Sequence, residues 1–97
     1  MKAWKTDRDG SYIEMIVGER KDYAFDAVDI LNGQTIATTE LTLDPNITQF
    51  GATQIVGTVI TFVLVAGAAG VHPCNLKTTG NVSLIDFFEF RVKVTAI

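Results

Sequence analysis

Cysteine is nearly missing from this chain: Cys74 is the single one among 97 residues. No intramolecular disulfide and no cysteine-rich metal site can be built from it. The fold must stand on its core alone, which suits assembly in a reducing cytosol. Histidine is equally scarce, with His72 alone, so a Ser-His-Asp set has little to draw on. Excess positive charge is absent too. Eight Lys and Arg against eleven Asp and Glu give a net charge of −3. The one dense basic group, in Glu19-Arg20-Lys21, is followed at once by Asp22. Nucleic-acid binding, which needs a clustered basic face, is therefore not expected. Residues 1–8 hold no apolar stretch of the kind a secretory leader carries, so none is expected. Internal repeats and low-complexity linkers are also lacking.

What the chain has is apolar content, 47% of its residues, with 20% charged. That balance excludes intrinsic disorder and fits one domain, residues 1–97, with 1–11 expected as an extended N-terminal arm. Ile55 to Val71 carries no charge. A bilayer span needs ~20 apolar residues, so the run is close in length. Gly57, Thr58, Thr61, Gly67 and Gly70 interrupt it, and its apolar part is β-branched: Ile55, Val56, Val59, Ile60, Val63 and Val65. β-Branched residues favour strands, and no basic cluster flanks either end as a topology signal. Buried strands are expected here, and no membrane association.

Strand signals recur along the chain. Tyr12–Val17 alternates weakly and ends at Gly18. Tyr23-Ala24-Phe25 sets two aromatics on one face. Asn32-Gly33 marks a turn. In Thr35–Leu43 the residue Ile36 has opposite parity to Leu41 and Leu43, which predicts a bulge near Thr38–Thr39. Asp44-Pro45-Asn46 is a turn, and Ile47–Phe50 a short edge strand. Thr58–Val65 is apolar on both faces. Val71–Thr79 follows a Gly67–Gly70 turn, and Gly80-Asn81 turns again. Asp86–Val94 alternates strictly, with Phe88, Phe90, Val92 and Val94 on the face expected to pack with Phe62 and Leu64. About seven short strands at this spacing predict an all-β, immunoglobulin-like antiparallel β-sandwich.

Candidate chemistry is thin. Gly67-Ala68-Ala69-Gly70 could cradle a phosphate only if a helix followed, and Val71-His72-Pro73-Cys74 is a poor helix start. His72 and Cys74 share one strand face. A thiolate dyad or half a metal site would need a third group, and none stands nearby in sequence. A small core thiol and a strand-end histidine are the simpler reading. Asp7-Arg8-Asp9-Gly10 lacks the terminal bidentate Glu of a calcium loop. No catalytic residue, cofactor or metal is expected. If Ile60, Phe62 and Leu64 face the core, Val59, Val63 and Val65 face outward, and Phe87 also points away from the core. A monomer seldom exposes that much apolar area. These four residues are the expected interface, unless a neighbouring sheet or an N-terminal segment with Trp4 or Met15 covers them.

The stretch GERKDYAFDAVDILNGQTIATTEL resembles a run found in small tail-phage virion proteins of the fibre–tail adaptor type. Gly18, Asp22-Tyr23, Phe25-Asp26, Leu31, Gly33 and Thr35-Ile36 carry the likeness. It resumes in VAGAAGVHPCNLKTTGNVSLIDFFEFRVKV, with a Gly-x-x-Gly turn, a Thr-rich strand and an alternating last strand. Ala27 and Leu41 depart from it, standing where the family often has aromatics. The resemblance implies a non-enzymatic structural protein of a tailed bacteriophage particle, assembled in the bacterial host cytoplasm. It implies multiple copies or a homo-oligomer, and contact with portal, tail or fibre proteins. A small receptor- or carbohydrate-binding β-sandwich module is the alternative.

Overall fold

The computed structural model describes residues 4–97. Nine strands and one helical turn follow in order: β1 (Lys5–Asp7), β2 (Gly10–Ile16), β3 (Arg20–Asp26), α1 (Val28–Leu31), β4 (Ile36–Thr42), β5 (Ile47–Gln49), β6 (Gln54–Val56), β7 (Val59–Ala66), β8 (Gly70–Gly80) and β9 (Ile85–Thr95). They form two sheets. One has the order β1-β2-β9-β8-β4; the other has β3-β7-β5, with β6 also pairing β7. Every pairing is antiparallel except β2 with β9, which is parallel. With β2 to β5 labelled A to D and β7 to β9 labelled E to G, one sheet holds B, E and D. The other holds C, F and G with A beside G. The B-E-D and C-F-G groupings match those of an immunoglobulin-like sandwich, while A lies beside G rather than with B.

The alternation in the sequence sets the burial. Ile60, Phe62, Leu64 and Ala66 on β7 are buried, and so are Phe90, Val92 and Val94 on β9. Phe62 and Phe90 meet across the two layers with ring centroids 6.2 Å apart. Phe88 is half-buried and stacks on Phe25 at 4.4 Å. Burying a side chain of this size contributes about 1.5–3 kcal/mol, so these few residues carry much of the fold's stability. Ile55–Val71, the uncharged run, becomes part of β6, all of β7 and the start of β8. No helix among the described residues is long and apolar enough to cross a membrane.

Three details differ from the sequence expectation. The bulge in β4 falls between Ile36 and Thr38 rather than at Thr38–Thr39. The Asn81 N–H bonds the Thr35 carbonyl, which holds Thr35 opposite Asn81 on the near side of the bulge. The N-terminal segment is not an arm throughout. Residues 1–3 lie outside the described ones, but Lys5–Asp7 pairs with Gly10–Tyr12 as a hairpin, and Gly10 already opens β2. Trp4 caps this hairpin by packing its ring against Tyr23, Phe62, Phe88 and Phe90. Its indole N–H donates to the Ala24 carbonyl at 2.7 Å. Finally, α1 is a single turn that sequence periodicity does not reveal. Asn32 and Gly33 end it in left-handed conformation, φ 48° and 87°, which fits the Asn-Gly pair.

Candidate interaction surfaces

Val59, Val63 and Val65 sit on the outer face of the four-stranded sheet, because their neighbours Ile60, Phe62 and Leu64 point into the core. Phe87 lies on the outer face of the other sheet, opposite Lys77 of β8. The expected group of four is therefore split: the three valines share one surface, and Phe87 belongs to the opposite side of the sandwich. The sequence assigns each residue outward correctly but cannot say which sheet it leaves.

The valines are half-buried, not bare. Neither Trp4 nor Met15 covers them, since Trp4 packs against the core aromatics and Met15 is buried inside. The cover comes from within the sheet. Arg20 on β3 and Phe50 beyond β5 flank the central strand, with Arg20 opposite Val65 and the Phe50 N–H bonded to the Val63 carbonyl. The Arg20 guanidinium reaches across to lie 4.1 Å from the Phe50 ring centre. A guanidinium over an aromatic face is attractive, and its alkyl stem shields apolar surface beneath it. Phe50 is still 54% exposed and Val56, beside Val59, 74%. Sequence reading missed Arg20, Phe50 and Val56. Phe50 was legible in principle, being three residues beyond the buried Ile47 and so on the outward parity.

The outer face of the five-stranded sheet has a different chemistry. Asp7 receives Arg91 on one carboxylate oxygen and Lys93 on the other, at 2.5 and 2.9 Å. These two cations hold the Asp7 carboxyl well below the usual carboxylate range, the Arg91 hydrogen bond being the larger cause. Lys93 lies 3.7 Å over the Tyr12 ring, and Lys5 pairs with Glu14. Toward β4 this face holds an open groove of about 570 Å³, whose lining includes Ser11, Thr42, Asn75, Glu89 and Arg91. Among the described residues no group of three or more His, Cys, Asp or Glu is placed to hold a metal.

His72 and Cys74 are both buried on β8. His72 does have a third group beside it, contrary to the sequence expectation. Its Nε2 is 2.8 Å from the Ala68 carbonyl, and its Nδ1 is 3.4 Å from Asp44 Oδ1. A carbonyl only accepts, so Nε2 carries the proton. His72 thus fixes the β7–β8 turn through Ala68 and lies beside Asp44 of the β4–β5 turn, with which it forms an ion pair only when the ring is doubly protonated. Cys74 is not poised as a nucleophile. Burial pushes its thiol pKa up, and its sulfur is directed at the His72 carbonyl rather than the ring. The Gly67–Gly70 turn joins two strands with no helix following. Gly67 donates its N–H to the Asn46 carbonyl at 2.9 Å, and a Cβ there would lie 2.8 Å from that oxygen. The glycine serves close packing of two turns, not an anion.

These observations define the class as a two-sheet β-sandwich. No protein-family model matches the chain, and no curated protein matches it. Among solved structures it is similar to the solution structure of Amebosin, with 14% identity, 87% of this chain and 88% of that one covered, and a TM-score of 0.46.

Proposed function

We propose that this chain is a non-enzymatic structural and assembly protein of a tailed bacteriophage particle. In this reading it is an adaptor present in several copies, touching portal, tail or fibre proteins. The observation that carries it is the outer face of the four-stranded sheet. There Val59, Val63 and Val65, with exposed Phe50 and Val56, make an apolar surface that a partner would cover. The phage assignment itself draws on the residue pattern from Gly18 to Ile36, whose members have packing roles in the fold. Tyr23 and Leu31 are buried, Phe25 stacks on Phe88, and Asp26 accepts from the Val28 N–H and the Thr58 hydroxyl. These are reasons for a fold to keep such residues, and none is a reason for catalysis.

The test is composition. Particles from a host that produces this chain should contain it in stoichiometric amount, and should lose it when Val63→Asp replaces the native residue. Its absence from purified particles would overturn the proposal. The alternative, a small receptor- or carbohydrate-binding module, draws on the groove beside β4, where Asn75, Glu89 and Arg91 stand beside apolar Leu43 and Pro73. Selective retention on a glycan array, abolished by Asn75→Ala, would favour it.

A further inference from the structure

The sandwich has two long open edges, and they are guarded differently. β3 bounds one sheet and β4 the other, with seven residues each, whereas β1, β5 and β6 have three. An open edge is a template for another strand, and proteins block it with charge, bulges or cover. β3 carries Arg20, Asp22 and Asp26, and its Ala24 carbonyl is taken by the Trp4 indole. β4 has its bulge before Thr38, leaving Thr38–Thr42 regular, threonine-rich and with one charge, Glu40.

The backbone phase shows which groups of β4 are free. In an antiparallel ladder, successive residues bond to opposite neighbours. Gly80 donates to the Leu84 carbonyl at the start of the β8–β9 hairpin, while Asn81 donates to Thr35 on the β4 side. Even-numbered residues of β8 therefore bond β9, and odd-numbered ones bond β4. Their β4 partners are Thr38, Glu40 and Thr42, opposite Thr79, Lys77 and Asn75. The N–H and C=O groups of Thr39 and Leu41 are left pointing to the open edge. Among the described residues no bond from another segment reaches them.

We propose that this edge takes up an extended strand of a different protein, with a basic residue set opposite Glu40. Strand addition supplies main-chain hydrogen bonds for affinity and side-chain positions for selectivity. Glu40 decides the occupant. A second copy pairing Thr39 with Leu41 would satisfy all the free groups, but it would set Glu40 directly against Glu40, which is destabilising. A lysine or arginine at that position reverses the sign. Glu40 is available for it: it is exposed and, among the described residues, in no ion pair, and Lys77 on the neighbouring strand lies 5.9 Å over the Phe87 ring instead. On the inner row, beside Thr39 and half-buried Leu41, the incoming strand needs threonine or apolar residues. This edge belongs to the sheet opposite the valine surface, and the proposal holds whether or not the partner is a virion protein.

The experiment uses a capped synthetic hexapeptide, Asn-Leu-Lys-Thr-Thr-Gly, copied from the strand that already places a lysine opposite Glu40. A second peptide has glutamate for that lysine. Binding is followed in nitrogen–proton amide spectra of the whole chain. The expected result is shifts and slowed exchange centred on the Thr39 and Leu41 amides. The lysine peptide should be preferred about two- to five-fold, the size of one cross-strand charge pair. Thr39→Pro removes an edge N–H without touching the β8 ladder, and should abolish binding in a folded protein. Glu40→Lys should invert the peptide preference, and it decides the matter if the proline variant does not fold. No response at Thr39 and Leu41 at millimolar peptide would overturn the proposal. So would binding that survives in folded Thr39→Pro, or an unchanged preference in Glu40→Lys.

Discussion

The two outer faces of this sandwich are built on one core and solve exposure in opposite ways. On the five-stranded sheet the charges cancel locally. Asp7 sits between Arg91 and Lys93, Lys5 meets Glu14, and Lys93 covers Tyr12. Its exposed apolar residues stand toward the strand ends: Phe87, with Lys77 above it, and Ile16, Val71 and Ile85. On the four-stranded sheet a row of valines is bridged by one cation–π contact, Arg20 over Phe50, and the surrounding Phe50 and Val56 stay exposed. The first face surrounds a centre of paired charges with apolar residues at its strand ends, whereas the second sets a row of valines at its middle, and the proposed contact rests on that difference.

The shared core is the first place to test this. Phe90 is buried and its ring meets Trp4, Phe62 and Phe88. Phe90→Ala should cost about 3–5 kcal/mol and abolish both faces together, as read by chemical denaturation. A variant of near-native stability would mean the two sheets do not depend on one another.

Trp4→Ala should be the next largest. Trp4 is half-buried, so the loss should fall near or below the low end of that range, about 2–3 kcal/mol. The effect should concentrate on β3, where amide exchange around Ala24 should rise as the edge loses its cover. Uniform loosening of both sheets would contradict the role given to the indole.

Tyr23 separates core from surface in another way. Its hydroxyl is buried without a partner among the described residues, and burial pushes its pKa up to about 12. The unfolded value is about 10. The neutral phenol is thus the folded form. Its contribution is fully present below about pH 10 and is lost as pH rises toward 12. Tyr23→Phe should flatten alkaline unfolding in that window. At pH 7 it should leave stability unchanged or raised by up to about 1 kcal/mol, since an unpaired polar atom is removed. Alkaline melting curves identical for the two proteins would show that another group sets the limit.

The smallest effect belongs to the charged face. Asp7 is held below the usual carboxylate range by Arg91 and Lys93, so its stabilising contribution is present above that range and lost as pH falls. The group is exposed, so the loss is local. Asp7→Asn should free β1 and raise amide exchange over Lys5–Asp7, with the valine face unmoved. Perturbed shifts at Val63 would couple the faces and weaken the comparison.

Much of this was legible in the sequence, for identifiable reasons. Strict period two in Asp86–Val94, and parity in Thr58–Val65, fixed which side chains enter the core because a strand has only two faces. Opposite parity of Ile36 and Leu41 announced a bulge, displaced by about a residue from its expected place. Sheet membership was not legible. Phe87 and Val63 are both outward on good strands, and only the crossover from β7 to β8 puts them on opposite sides. The Asp44–His72 contact was hidden for the same reason, joining turns 28 residues apart. The Arg20–Phe50 bridge spans 30 residues across β7, beyond any local pattern.

The most direct test of the account compares two single substitutions, one on each outer face. Under the proposed phage role, particles are prepared from hosts supplying Val63→Asp or Phe87→Asp, and the amount of this chain is measured against a major particle protein. Circular dichroism of the purified variants checks that both fold. The account predicts that folded Val63→Asp is lost from particles while Phe87→Asp is retained at the wild-type ratio. Retention of Val63→Asp with loss of Phe87→Asp would contradict it and move the interface to the five-stranded sheet.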